Sequence, residues 1–309
     1  MKLQFVCAQP ATLYYAWQVE VMLNNFRDQG INLNTIDVVC WKQTSSVPEE
    51  WSKLANRYAA RFFFYEDTRE SSFYISSIRP NILKQHFKKY PELSEGAIFY
   101  HDCDIVFTKP MDFSIFLEDN KWYGSDTRFY ISHDYILSKG EDVLDLMCEI
   151  VDIDKEIIKQ NELNSIGAQY LMKGIDWKFW DNVERDSEML FRKVTDLNIK
   201  KKLENPLYHE LQIWCADMWA VLWNGWKLGY ETIVHKDFNF AWATSNPSEW
   251  DKCYIYHNAG AVSAIDGMFY KSDFISKLPY NEHIEVAQDK CSYKYWELIQ
   301  QTAKKSVLI

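Results

Sequence analysis

Residues 97–110 read Ala-Ile-Phe-Tyr-His-Asp-Cys-Asp-Ile-Val-Phe-Thr-Lys-Pro, an apolar strand that runs into two carboxylates one residue apart and is followed by a second short apolar run. Ile98, Phe99 and Tyr100 precede the pair and Ile105, Val106 and Phe107 follow it, so Asp102 and Asp104 interrupt a core pattern rather than decorate a surface turn. Open α/β sheets take their ligands at the carboxyl ends of their strands, where these two acids project. Paired carboxylate oxygens suit hard divalent cations, Mg²⁺ or Mn²⁺, which in turn hold phosphate oxygens. The stretch therefore predicts a metal site carried by Asp102 and Asp104.

Upstream, residues 3–8, 36–41 and 62–65 read as strands. Between them, Tyr15, Val19, Met22, Leu23 and Phe26 recur at helical spacing with Gly30 as a stop, and Pro48–Tyr58 reads as a second helix. Strand and helix alternating at this spacing predict parallel βαβ units and a doubly wound α/β sheet. Residues 73–90 read as a helix that begins or kinks at Pro80. Arg79, among Ile75, Ile78 and Ile82, is either a surface guanidinium or a half-buried functional one.

Downstream, strands are expected at 122–125, 230–234 and 253–257, with an aromatic loop, Asp237 to Trp242, between the last two. Helices are expected at 141–160 and 176–194, and residues 195–206, with the run Lys200-Lys201-Lys202, read as a solvated connection. Residues 209–224 are apolar almost all round and read as a buried helix. Glu210 and Asp217 then lie seven apart on one face of it, each needing a cation, a donor or a ligand hydroxyl as partner. Asp217 is read either as a ligand-facing acid or as half of a structural ion pair. The tail, 283–309, reads as a helix without recognisable chemistry.

Composition excludes several classes. With 34 Lys and Arg against 44 Asp and Glu, net charge −10, the chain has no field to attract a polyanion, which disfavours nucleic acid and anionic membranes as partners. The seven cysteines are odd in number and unpaired in spacing, which points to a reducing compartment: the cytoplasm, or a host's cytoplasm if the chain is viral. No window approaches a membrane span, and the short apolar run at residues 3–8 is broken by Gln4, so it reads as a strand rather than a signal peptide.

The stretch at 97–110 resembles the Asp-x-Asp motif of GT-A glycosyltransferases, which use a nucleotide-sugar and a divalent metal. Ser76-Ser77-Ile78-Arg79-Pro80-Asn81-Ile82-Leu83, Gly167-Ala168-Gln169-Tyr170, Trp214-Cys215-Ala216-Asp217-Met218-Trp219-Ala220 and Tyr256-His257-Asn258-Ala259-Gly260 follow in that family's order. The resemblance spans residues 1 to about 275. It implies one GT-A domain, a Rossmann-like doubly wound mixed sheet flanked by helices, with a nucleotide half near 1–110, a sugar and acceptor half near 111–275, and a helical extension, 276–309.

By that resemblance the loop from Gln9 to Tyr14 takes the nucleotide base, with Tyr14 or Tyr15 stacking on it, and Arg79 reaches the base or the carboxylates. Residues 163–172 resemble the strand that lines the sugar pocket, with Gly167 and Gln169 on it, although a glycine in a strand also marks a simple bulge. Asp217 is the acid that faces the sugar, with Glu210 as a second acid able to serve as base. His257 is the third metal ligand beside Asp102 and Asp104, and Lys271, at a longer spacing than usual, contacts the diphosphate. The implied cofactor is Mn²⁺ or Mg²⁺ and the co-substrate a nucleotide-diphosphate-sugar. The acceptor is a glycan, a protein side chain or a small molecule, and retention of configuration is favoured. The alternatives are a metal-dependent phosphoesterase and a non-catalytic nucleotide- or glycan-binding module.

Overall fold

A computed structural model describes residues 1–261, 263 and 267–309. Its strands are β1 (Leu3–Pro10), β2 (Ile36–Trp41), β3 (Arg61–Tyr65), β4 (Ala97–Tyr100), β5 (Ile105–Phe107), β6 (Trp122–Asp126), β7 (Ile166–Lys173), β8 (Thr232–Val234), β9 (Phe240–Trp242) and β10 (Ile255–His257). Seven of them form a mixed sheet flanked by helices, and β5, β10 and β9 form a small second sheet. The chain divides into two compact units, one of Leu3–Glu66, Tyr100–Ile115 and Asp237–Ile309, the other of Met1–Lys2, Asp67–Phe99 and Phe116–Lys236.

In the first unit β1, β2 and β3 run parallel, Phe5 opposite Ile36 and Val38 opposite Phe62, as the βαβ spacing requires. The helix Leu13–Asp28 joins β1 to β2, and Gly30 after it takes a left-handed φ of 85° that a side chain would resist. A polar ladder crosses the three strands. Gln4 of β1 donates to Asp37 of β2 at 3.1 Å, and Arg61 of β3 forks onto both Asp37 oxygens at 2.6 and 2.8 Å.

The second unit carries β6 antiparallel to β7 and parallel to β8. Its helices Ile78–Lys89 and Trp177–Glu204 include a Pro80 that falls in the first turn, where a missing N–H costs nothing, so the helix is not kinked there. The second helix runs on through residues 195–204, where the sequence suggested a connection. No Gly or Pro intervenes before Pro206, and Val194 and Asn198 continue the buried face, so Lys200, Lys201 and Lys202 are helical. Residues 141–160 divide into Glu141–Val151 and Lys155–Gln160, broken at Asp152 with φ 57°.

The stretch 209–224 is also corrected. The helix spans Ala216–Lys227, a 3₁₀ turn occupies Ile213–Cys215, and the residues before it are irregular. Glu210 is exposed in that connection and shares no helix face with Asp217. Nor is the aromatic segment before Trp242 all loop, because Phe240–Trp242 pairs parallel with β10.

The tail has a defined place in the first unit. Its helix, Cys291–Ala303, sends Tyr295, Trp296 and Ile299 into a core with Trp17, Tyr256, Phe269 and Phe274. Beyond it the chain is held by Glu20, a fully buried carboxylate of the first helix that accepts from Tyr280 Oη at 2.6 Å, Ser306 Oγ at 2.6 Å and the Val307 amide at 2.9 Å. Glu20→Ala strands these donors, and at about 1–3 kcal/mol for each buried group left unsatisfied it is expected to cost about 3 kcal/mol in urea unfolding. Amide exchange at Val307 should rise sharply in the same variant. Wild-type protection there in Glu20→Ala would show that apolar packing alone holds the tail.

Candidate active site

The acids Asp102 and Asp104 lie in the turn between β4 and β5, as the apolar runs on either side require. Antiparallel pairing of β10 on β5 sets His257 opposite Ile105, and the Asn258 amide donates to the Asp104 carbonyl at 3.0 Å. His257 is thereby brought beside the turn. Its Nε2 lies 3.2 Å from Asp104 Oδ1 and 3.5 Å from Asp102 Oδ2, and the three ligand atoms fall within 4.8 Å of one another.

These separations fit a divalent cation. At the roughly 2.1 Å ligand distance of Mg²⁺, neighbouring ligands of an octahedron stand about 3 Å apart, so two carboxylates and an imidazole at this spacing can share one face. Asp102 keeps 28% of its side chain exposed, which leaves the outer positions reachable by water or phosphate oxygens.

The charges around the turn are balanced locally. Asp104 has only 6% of its side chain exposed, and the Lys271 ammonium sits 2.5 Å from its Oδ2. Burial pushes the Asp104 carboxyl up, but Lys271 and His257 outweigh it and hold the group far below the usual carboxylate range. Burial likewise works against the Lys271 charge, and Asp104 and Tyr14 more than restore it, so its pKa is raised. His101, buried beneath the turn with Nδ1 2.9 Å from the Asp102 carbonyl, is pushed down by burial to about 4 and stays neutral near pH 7.

Tyr14 and Gln9 belong to the same unit but not to a loop. Gln9 is in β1 and Tyr14 in the first turn of the following helix, which begins at Leu13. Burial pushes the Tyr14 hydroxyl up to about 12, with the Lys271 charge pulling it down and Asp104 pushing it up. Gln9 Nε2 donates to the Val39 carbonyl at 3.2 Å and contacts Cys40 Sγ at 3.4 Å, while its buried Oε1 has no hydrogen-bond partner.

Arg79 and Asp217 meet in the second unit, guanidinium to carboxylate at 3.8 Å. Asp217, in the first turn of its helix, also accepts from Tyr74 Oη at 2.6 Å, a hydroxyl that lies 2.7 Å from the Trp214 carbonyl as well. Tyr74 is fixed in turn by Glu188, which accepts from the Tyr74 amide and the Ser77 hydroxyl, and by Phe191 stacked on its ring. Neither Tyr74 nor Glu188 was legible in the sequence, because a Tyr among Phe73, Ile75 and Ile78 reads as packing. Gly167 and Gln169 lie on β7 at a bulge where Ala168 takes a φ of 62°. A Cβ on Gly167 would stand 2.5 Å from Met218 Cε and 2.7 Å from Thr127 Oγ1, so internal packing requires the glycine, and Gln169 is fully buried.

No family model and no curated protein matches the sequence. Glycosyltransferases are among the solved structures whose fold it matches. The apo form of the bifunctional glycosyltransferase WbbM is 9% identical with a TM-score of 0.50, over 98% of this chain and 51% of that one. The galactosyltransferase LgtC, solved with donor and acceptor sugar analogs, is 9% identical with a TM-score of 0.42, over 97% and 96%. Apo GlyE of Streptococcus pneumoniae TIGR4 is 12% identical with a TM-score of 0.44, over 98% and 63%. This chain spans about half the length of WbbM. At these identities the likeness is one of fold: a mixed α/β sheet flanked by helices, as in GT-A glycosyltransferases.

Proposed function

We propose that the chain is a metal-dependent glycosyltransferase that moves a sugar from a nucleotide-diphosphate-sugar to an acceptor hydroxyl. The observation that carries this reading is the convergence of Asp102, Asp104 and His257 at the end of a sheet strand, on a fold otherwise seen in glycosyltransferases. Mn²⁺ or Mg²⁺ held by these three side chains would neutralise charge on the diphosphate leaving group. The ligand set serves one ion, which favours a transferase over a two-metal phosphoesterase. Seven free thiols support a reducing, cytoplasmic setting, and no helix among the described residues is long and apolar enough to cross a membrane.

The remaining roles are proposed from the residue types and their immediate surroundings. Gln9 offers a buried acceptor at the end of β1, and Tyr14 an aromatic face, to a nucleotide base. Lys271 supplies a cation for the diphosphate. Asp217, oriented by Tyr74 and Arg79, takes hydrogen bonds from sugar hydroxyls. An acid already engaged by a tyrosine and an arginine is better placed to orient a sugar than to deprotonate an acceptor, which supports a retaining reaction. The acceptor class remains a glycan, a protein side chain or a small molecule.

Incubation with Mn²⁺ and a panel of nucleotide-sugars is expected to release free nucleoside diphosphate from one of them. EDTA should abolish that release and added Mn²⁺ or Mg²⁺ restore it. Asp104→Asn keeps the shape but loses a ligand, so its rate should fall by more than the roughly 10–100-fold that outer partners of a metal site cost. An Asp104→Asn protein with wild-type turnover would sink the metal assignment.

Asp217→Asn separates two roles. If the acid orients sugar hydroxyls on the way to the transition state, kcat falls by about 10²-fold or more. The melting midpoint then moves little, because Asn can still accept from Tyr74. If Asp217 serves mainly as the structural partner of Arg79, the order reverses, with a loss of up to about 3–5 kcal/mol of stability and normal turnover by the folded fraction. We expect the first outcome. One variant measured for both midpoint and initial rate decides it.

A further inference from the structure

We propose that Lys271 is an internal counter-cation that competes with the divalent ion for Asp104, so that ion binding displaces its ammonium and frees it for an anionic ligand. The inference rests on the metal-site reading above and adds a linkage to it. Asp104 has one oxygen toward His257 Nε2, at 3.2 Å, and the other engaged by Lys271 at 2.5 Å. With 6% of that side chain exposed, little water stands between the ammonium and any ion the carboxylate holds. Like charges within about 4 Å in such a setting repel strongly, so Asp104 serves one cation fully or two poorly.

The local structure lets the side chain alone make the exchange. Lys271 opens a 3₁₀ turn, Lys271–Phe274, whose end is pinned. The Phe274 carbonyl accepts from Trp17 Nε1 at 3.2 Å, and its ring stacks on Phe269 at 5.3 Å. The four-carbon stem above this anchor is flexible, and 30% of the side chain is already exposed, which gives the ammonium a way out. Asp102 keeps 28% of its side chain exposed against 6% for Asp104, so the ion can enter through the more exposed acid before the lysine leaves Asp104.

The test is Mn²⁺ affinity, read from the electron paramagnetic resonance signal of free Mn²⁺, with the full chain and no nucleotide-sugar. Lys271→Met removes the competitor and should bind Mn²⁺ at least about tenfold more tightly than wild type, within the usual range of coupling between two sites. Lys271→Arg keeps the charge and should bind no more tightly than wild type. Without Mn²⁺ the melting midpoint of Lys271→Met should fall below wild type, since Asp104 has lost its cation, and saturating Mn²⁺ should close the gap. Wild-type or weaker Mn²⁺ affinity in Lys271→Met overturns the competition. Asp104→Asn should lose most of the Mn²⁺ affinity, and if it binds as well as wild type, the metal site itself is misassigned and the proposal falls with it.

Discussion

Pairing of three residues of β10 with three of β5 is the constraint on which the candidate metal site depends. His257 stands far along the chain from Asp102 and Asp104, and this short antiparallel ladder sets it beside them. Strand side chains alternate between faces, so a slip of one residue would turn His257 away and put Tyr256 in its place. The alternation is enforced from the other side. Tyr256 stacks on Tyr295 at 5.3 Å and packs its ring at a tilt against Trp250 at 5.1 Å, and its hydroxyl donates to Asn258, whose amide holds the Asp104 carbonyl. The tail helix, through Tyr295, thus helps to fix the register that points His257 at the acids.

What could be read in the sequence follows from how local the signal is. Strands β1, β2 and β3 and the acids after β4 were legible because contiguous apolar runs bounded by helical spacing specify them without reference to distant residues. His257 was placed by its position at a strand end, a local feature, while its partners came only from family resemblance. Failures occurred where a tertiary contact decides. Leu211, Ile213, Trp214 and Cys215 have the composition of a buried helix, yet Leu211 is held in an irregular segment, its amide and carbonyl both bonded by Asn198. That choice is invisible to periodicity, and it moved Glu210 to the surface. Lys200 to Lys202 failed in the opposite direction, because charge suggested solvent when the backbone was simply a long helix with one wet face. The Tyr74 and Glu188 contacts to Asp217 and the start of its neighbouring helix join residues more than a hundred positions apart, and no local pattern reports them.

The acids of this protein differ in what satisfies them, and the difference separates scaffold from candidate chemistry. Asp37 is bonded in fork geometry by Arg61 and again by Gln4, and Glu20 takes three hydroxyls and an amide. Each of these is fixed by groups whose backbones are set by strands, helices or a core, so loss of the acid unmakes structure. Glu188 is of the same kind, since it gathers a backbone amide and hydroxyls at the start of a helix. Asp104 is otherwise arranged. One of its oxygens faces His257 Nε2, and its charge is balanced by the Lys271 ammonium, which sits on a flexible stem and can be exchanged without moving a strand. A buried carboxylate with an exchangeable partner costs the fold as much desolvation as a fixed one and returns less order, which sets Asp104 apart from the scaffold acids as a candidate for chemistry.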